Sequence, residues 1–148
     1  MSALPKLVHS RVAAAMSIAL LLLVATVALA QAVEKAVSIA ITSVPTYNPA
    51  GGEDKMETVS GTAGGCANCR VVIYVRTNKW WVQPFADSPF TPVKDGKWST
   101  DTHLGHEYAA LLVRPAFQPP AATTALPAVG ETVLAKDVKP TTRCSLPW

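Results

Sequence analysis

The sequence predicts an all-β protein: a small antiparallel immunoglobulin-like β-sandwich of about seven short strands, following an N-terminal signal helix. Three observations point there. Beyond residue 30, no stretch keeps a helical hydrophobic period for three turns. Short β-branched and aromatic runs recur instead, at roughly 8–12-residue spacing. Pro, Gly, Asn and Asp punctuate the gaps between them.

The leader comes first. Lys6, His9 and Arg11 make a basic start, and an apolar run over residues 12–30 contains Leu20, Leu21, Leu22, Leu23 and Val24. The run ends in Ala28-Leu29-Ala30, the small–large–small pattern that signal peptidase reads, followed by polar Gln31. This three-part layout predicts a signal peptide over 1–30, cut after Ala30, and a periplasmic or secreted product. The alternative is a retained anchor, since a spanning helix needs about 20 apolar residues. No cysteine follows the run closely enough for a lipoprotein anchor.

The domain proper is expected over 31–140, with a C-terminal tail over 141–148. Residues 37–44 (VSIAITSV) read as the first strand, closed by Pro45 and the turn-rich 47–52 segment. Residues 56–62 alternate polar and small side chains and read as the second, ending at Gly64-Gly65. Residues 70–77 (RVVIYVRT) carry the strongest strand signal, with Val71, Ile73 and Val75 on one face and Val72, Tyr74 and Arg76 on the other. A turn at Asn78-Lys79 leads into Trp80-Trp81-Val82-Gln83, stopped by Pro84. Residues 85–93 hold two prolines and predict an extended loop or at most an edge strand. Lys94-Asp95-Gly96-Lys97 is a turn signal before a strand at Trp98-Ser99-Thr100. Residues 108–114 (YAALLVR) read as another buried strand, residues 121–129 have room for a short helical turn, and residues 133–138 make a last strand.

Charge narrows the partners. The chain has 13 Lys and Arg, 10 Asp and Glu and a net charge of +3; loss of Lys6 and Arg11 with the leader lowers this to +1. No basic cluster remains to track a phosphate backbone, so a nucleic-acid partner is not expected. Membrane contact is expected only through the signal segment, during export.

One set of linked motifs carries a resemblance. Val71 with Tyr74, Trp80-Trp81-Val82-Gln83-Pro84, Pro89-Phe90-Thr91-Pro92-Val93, Asp95-Gly96-Lys97-Trp98, the 108–113 run with Pro115, and Pro119-Pro120 follow one another across the chain. Together they resemble a poorly characterised module of bacterial exported proteins, sometimes attached to glycoside hydrolases. The resemblance covers about half of the mature chain and implies association with carbohydrate. The Cys66-Ala67-Asn68-Cys69 insert departs from that pattern, and no catalytic domain accompanies the module in this sequence.

The aromatic group Trp80, Trp81, Phe85, Phe90 and Trp98 is the first candidate for chemistry. Trp80 and Trp81 are adjacent on a strand and must point to opposite faces, so one is core and the other exposed or covered by a loop. An exposed indole suits the axial C–H face of a sugar ring. Trp80, Trp81, Gln83 and Trp98 are therefore the expected ligand contacts, with Asn78, Arg76 and Asp87 near enough to bond hydroxyls. The bland reading packs both adjacent indoles, one inside the sandwich and one under the proline loop.

His103 and His106, flanked by Asp101 and Glu107, are weak zinc candidates, because a metal site wants three or four converging ligands. They define a third reading, a metal-dependent enzyme. Cys66 and Cys69 have exchange-site spacing, but no helix N-terminus is expected there to activate a thiolate. A structural disulfide fits better, and Cys66 or Cys69 joined to Cys144 is preferred narrowly over a Cys66–Cys69 loop. The carboxylates are scattered over turns, with Glu53, Asp54 and Glu57 on a solvated loop face, and no nucleophile elbow exists. Gly64-Gly65 is too short for a phosphate loop, and Gln118-Pro119-Pro120 reads as a strand stop. The sequence thus predicts a non-enzymatic binding module without a cofactor, its partner a polysaccharide or an envelope protein. A structural or assembly protein of the envelope or of an extracellular polymer is the alternative.

Overall fold

Among the described residues there are nine strands: β1 (Ser38–Ser43), β2 (Met56–Gly64), β3 (Arg70–Arg76), β4 (Trp80–Gln83), β5 (Phe90–Thr91), β6 (Lys97–His103), β7 (Glu107–Val113), β8 (Ala122–Thr123) and β9 (Val133–Pro140). They belong to a computed structural model that describes residues 35–46 and 55–141. The leader with its Ala30 cleavage point, the 47–52 turn, Glu53, Asp54, Cys144 and the rest of the tail lie outside the described residues.

The strands form two antiparallel sheets, ordered β1-β2-β6 and β8-β4-β3-β7-β9, with β5 added to β3. The long strands reproduce the A-B-E against C′-C-F-G arrangement of immunoglobulin-like sandwiches. Tyr108, at the start of β7, adds the corner typical of that fold: its hydroxyl accepts the Gly105 N–H, 3.1 Å away, and ties down the β6–β7 connection.

The two sheets bury side chains unequally, and the reason is in the strand composition. In β2 and β6 the buried positions alternate with exposed ones, as a sheet with one wet face requires. In β3 and β7 the apolar residues run without interruption and are buried on both faces. Ile41, Val59, Val71, Ile73, Val75, Trp98, Tyr108, Ala110 and Leu112 make the core between the sheets. Val72, Tyr74, Trp80, Val82, Ala109, Leu111, Val113 and Phe117 make a second core on the outer face of the larger sheet. Its cover is the segment after β7. Phe117 packs into the core, Pro120 C=O accepts the Tyr74 hydroxyl at 3.1 Å, and Ala121 C=O accepts the Val82 N–H at 3.0 Å. Burying one such aliphatic side chain stabilises by about 1.5–3 kcal/mol, so this second layer is a major part of the fold.

Two turns show how local chemistry sets the frame. Asp95 and Gly96 both have positive φ, 51° and 73°, and Lys94 and Lys97 exchange N–H···O=C bonds of 2.8 and 2.9 Å around them. That is the two-residue hairpin geometry in which Asp-Gly is favoured. It starts β6 at Lys97, and pairing with β2 carries the strand to His103, beyond the Trp98-Ser99-Thr100 expected. Gly61 answers a packing need, since a Cβ there would overlap the Trp98 indole and the Ala40 carbonyl.

Two expectations are corrected. Residues 121–129 hold no helical turn: Ala122 and Thr123 pair with Trp81 and Trp80 as β8, because β4 needs a backbone partner on that edge. The disulfide joins Cys66 to Cys69, not either of them to Cys144. Asn68, at φ 64°, lets the short loop between these cysteines turn back on itself.

Candidate functional site

The sandwich is open along one flank. There β4 and β6 belong to different sheets and do not pair, and β4 stops at Gln83 because Pro84 follows. The gap between them is a groove of about 710 Å³, walled by Trp81, Pro84, Phe85 and Leu104, with Asn78, Gln83 and His103 contributing polar groups.

Strand pairing dictates who faces it. Trp81 lies opposite Val75, and Gln83 opposite Ile73, so both share the inner face of the larger sheet. Trp80 and Val82 lie opposite Arg76 and Tyr74 on the outer face. Trp81 reaches past the end of the inner core and is 40% exposed. Its Nε1–H donates to Asn78 Oδ1 at 3.3 Å, and Lys79 Nζ sits 4.3 Å from its ring centroid. The ammonium covers the indole by a cation–π contact, and Trp81 lines the groove. Phe85, 54% exposed, also lines the groove and meets the His103 ring edge-on, centroids 6.2 Å apart and planes at 81°.

Gln83 is the polar hinge of the site. It is 3% exposed, and its Nε2 donates to the Trp81 carbonyl at 3.4 Å. That orients Oε1 toward β6, where it accepts the His103 backbone N–H at 2.9 Å and lies 2.8 Å from His103 Nδ1. An amide oxygen only accepts, so Nδ1 carries the proton. In the neutral ring Nε2 is then an acceptor. One side chain thereby ties the two sheets together and sets a tautomer at the groove wall.

The other predicted contacts fall elsewhere. Trp98 is 3% exposed in the core between the sheets, its Nε1–H bonded to Thr62 C=O at 3.1 Å. Trp80 is 7% exposed in the outer core. Neither offers a ring to a ligand, which corrects the expectation for both. Each is on the side of its strand that a second layer covers. Gln83 lines the groove but spends its oxygen on His103, so it positions other groups. Arg76 pairs with Glu107 at 2.6 Å, and Asp87 is exposed outside the groove lining.

The histidines do not converge on a metal. His103 faces Gln83, Asp101 accepts from the Thr58 hydroxyl at 3.0 Å, Glu107 holds Arg76, and the His106 backbone N–H bonds Arg76 C=O at 2.8 Å. Among the described residues, no three His, Cys, Asp or Glu side chains gather around a common point. Leu104 was not expected as a groove wall, and Phe85, though named in the aromatic group, was not among the expected ligand contacts. They reach it from loops, and no local pattern marks such residues.

Two buried tyrosines flank the region. Burial pushes the Tyr74 phenol up to about 12 and raises that of Tyr108, to which nearby Glu57 adds and the bond from Gly105 is opposed. Both stay protonated over any ordinary pH and serve as fixed hydrogen-bonding groups.

No family model matches the chain, and neither a curated protein nor a solved structure matches it. Fold and site together describe an immunoglobulin-like sandwich with one open, aromatic-walled flank.

Proposed function

We propose that the protein is an exported, non-catalytic carbohydrate-binding module that holds a saccharide in the groove between β4 and β6. The observation that carries this reading is Trp81, 40% exposed at the groove and held in place through Asn78 and Lys79. A locked, half-exposed indole stacks on a pyranose ring with little loss of side-chain freedom. The resemblance to modules attached to glycoside hydrolases supports the same ligand class, and the leader supports a periplasmic or secreted site of action.

The assembly alternative draws less support. Two of the four outer strands carry charge and proline, with Lys97 and Asp101 on β6 and Lys136, Lys139 and Pro140 on β9, while β1 and β8 carry neither. Such residues blunt edge-to-edge pairing.

The test is binding of the purified chain to a glycan array and to insoluble polysaccharides, beside Trp81→Ala and Trp98→Phe variants checked for folding by circular dichroism. Binding that a folded Trp81→Ala loses and Trp98→Phe keeps is the expected result. No binding by the wild type over a broad panel sinks the proposal.

A further inference from the structure

Resting on that carbohydrate reading, we propose that the groove selects N-acetylated hexosamine units over unsubstituted hexoses, with His103 as the selecting residue. The first argument is charge. No Asp, Glu, Lys or Arg lines the groove, so nothing there compensates a uronate or a sulfated sugar. No carboxylate lines it to pair a free amino sugar either, which is cationic at neutral pH.

The second argument is the supply of polar atoms. Asn78 Oδ1 is already shared by the Trp81 indole N–H and the Thr77 hydroxyl, 3.3 and 3.2 Å away. Gln83 Oε1 is spent on the backbone N–H and Nδ1–H of His103. What the wall keeps for a ligand is the acceptor lone pair at His103 Nε2, fixed in the neutral ring by the tautomer that Gln83 imposes, beside the Thr77 hydroxyl oxygen and the donor N–H groups of Asn78. An amide N–H can only donate and therefore needs such an acceptor.

The third argument is the apolar wall. Pro84, Phe85, Ala86 and Leu104 offer hydrocarbon where a fully hydroxylated sugar would have to strand its hydroxyls without partners. An acetamido group brings a methyl for that wall and an N–H for His103, while Trp81 takes the ring. The three surfaces match the three parts of one N-acetylhexosamine.

Titration calorimetry of the full chain with chitohexaose, cellohexaose and the glucosamine hexamer decides the matter. Chitohexaose is expected to bind about tenfold tighter than cellohexaose, with the glucosamine hexamer weakest. His103→Asn keeps a donor near the Nδ1 position for Gln83 but has no atom at Nε2, and it should bring the first two affinities together. His103→Gln restores an acceptor near the Nε2 position and should keep much of the preference. Cellohexaose binding as tightly as chitohexaose, or a preference that survives His103→Asn, overturns the selection and leaves the carbohydrate reading standing. So does binding of another glycan with none of chitohexaose. Absence of binding across the whole panel overturns both.

Discussion

The two flanks of the sandwich are built from the same sheets and end differently. On one flank β1 lies against β9. The pairing of β1 with β2 shifts register between Ile41 and Ser43, and the Ile41 N–H donates to the Asp137 carboxylate of β9 at 2.8 Å. Past the strand ends, the Thr141 hydroxyl donates to Pro45 C=O at 2.9 Å, and partly buried Ile39, Val44, Leu134 and Ala135 fill the inner-core margin. On the other flank β4 is four residues long, and the cross-sheet polar link among the described residues is Gln83 with His103. The first flank seals the core and the second leaves a groove with aromatic walls. Sealing needs strand length and a side chain that satisfies the bulged backbone. Where a proline stops the strand early, the same architecture yields a cavity.

Four measurements would break or sharpen that contrast. The largest effect concerns the sheet that both flanks share. Tyr74 titrates near 10 when unfolded and about 12 when folded, so its contribution is intact below pH 10 and is lost as pH rises toward 12. Urea unfolding should show stability falling by about 2–3 kcal/mol over that interval. Tyr74→Phe should flatten part of the slope while costing about 1 kcal/mol at neutral pH through the lost bond to Pro120. An unchanged slope would place the alkaline response elsewhere.

Next comes the sealed flank. Asp137→Ala strands the Ile41 N–H and should cost about 2 kcal/mol in the same assay. A neutral outcome would mean that apolar packing alone closes that side. On the open flank, Gln83→Met removes the cross-sheet link and should cost about 1–2 kcal/mol, because the buried His103 N–H loses its acceptor. An equal or larger loss than at Asp137 would contradict the idea that the flanks are unequally sealed. Trp81→Ala is the smallest, within about 0.5 kcal/mol in stability, since the indole is a wall more than a core residue. A loss of several kcal/mol would make Trp81 structural and deprive the groove of its platform.

The strands were readable because their signals are local. Period-two alternation, β-branched runs and Pro or Gly stops put β1, β2, β3, β4, β7 and β9 close to where they stand. The RVVIYVR and YAALLV runs read as strands, but burial on both faces comes from the segment after β7, which no local signal announced. The site was less readable. Opposite facing of Trp80 and Trp81 follows from strand geometry, but which face receives a cover depends on residues more than thirty positions away. Trp98 looked as available as Trp81 because both follow turns and flank polar residues. Its fate was decided by Gly61, on a neighbouring strand, leaving room for an indole.

The sequence by itself determined the fold class, the order and approximate bounds of the main strands, and the Asp95-Gly96 hairpin, since each rests on a few neighbouring residues. Only the tertiary structure decided that Trp81 and Phe85 share a groove, that Gln83 aims its oxygen at His103, and that Cys66 pairs with Cys69. The physical reason is that these outcomes depend on distances between separate elements, and a distance across two sheets is fixed by packing, which no local pattern encodes.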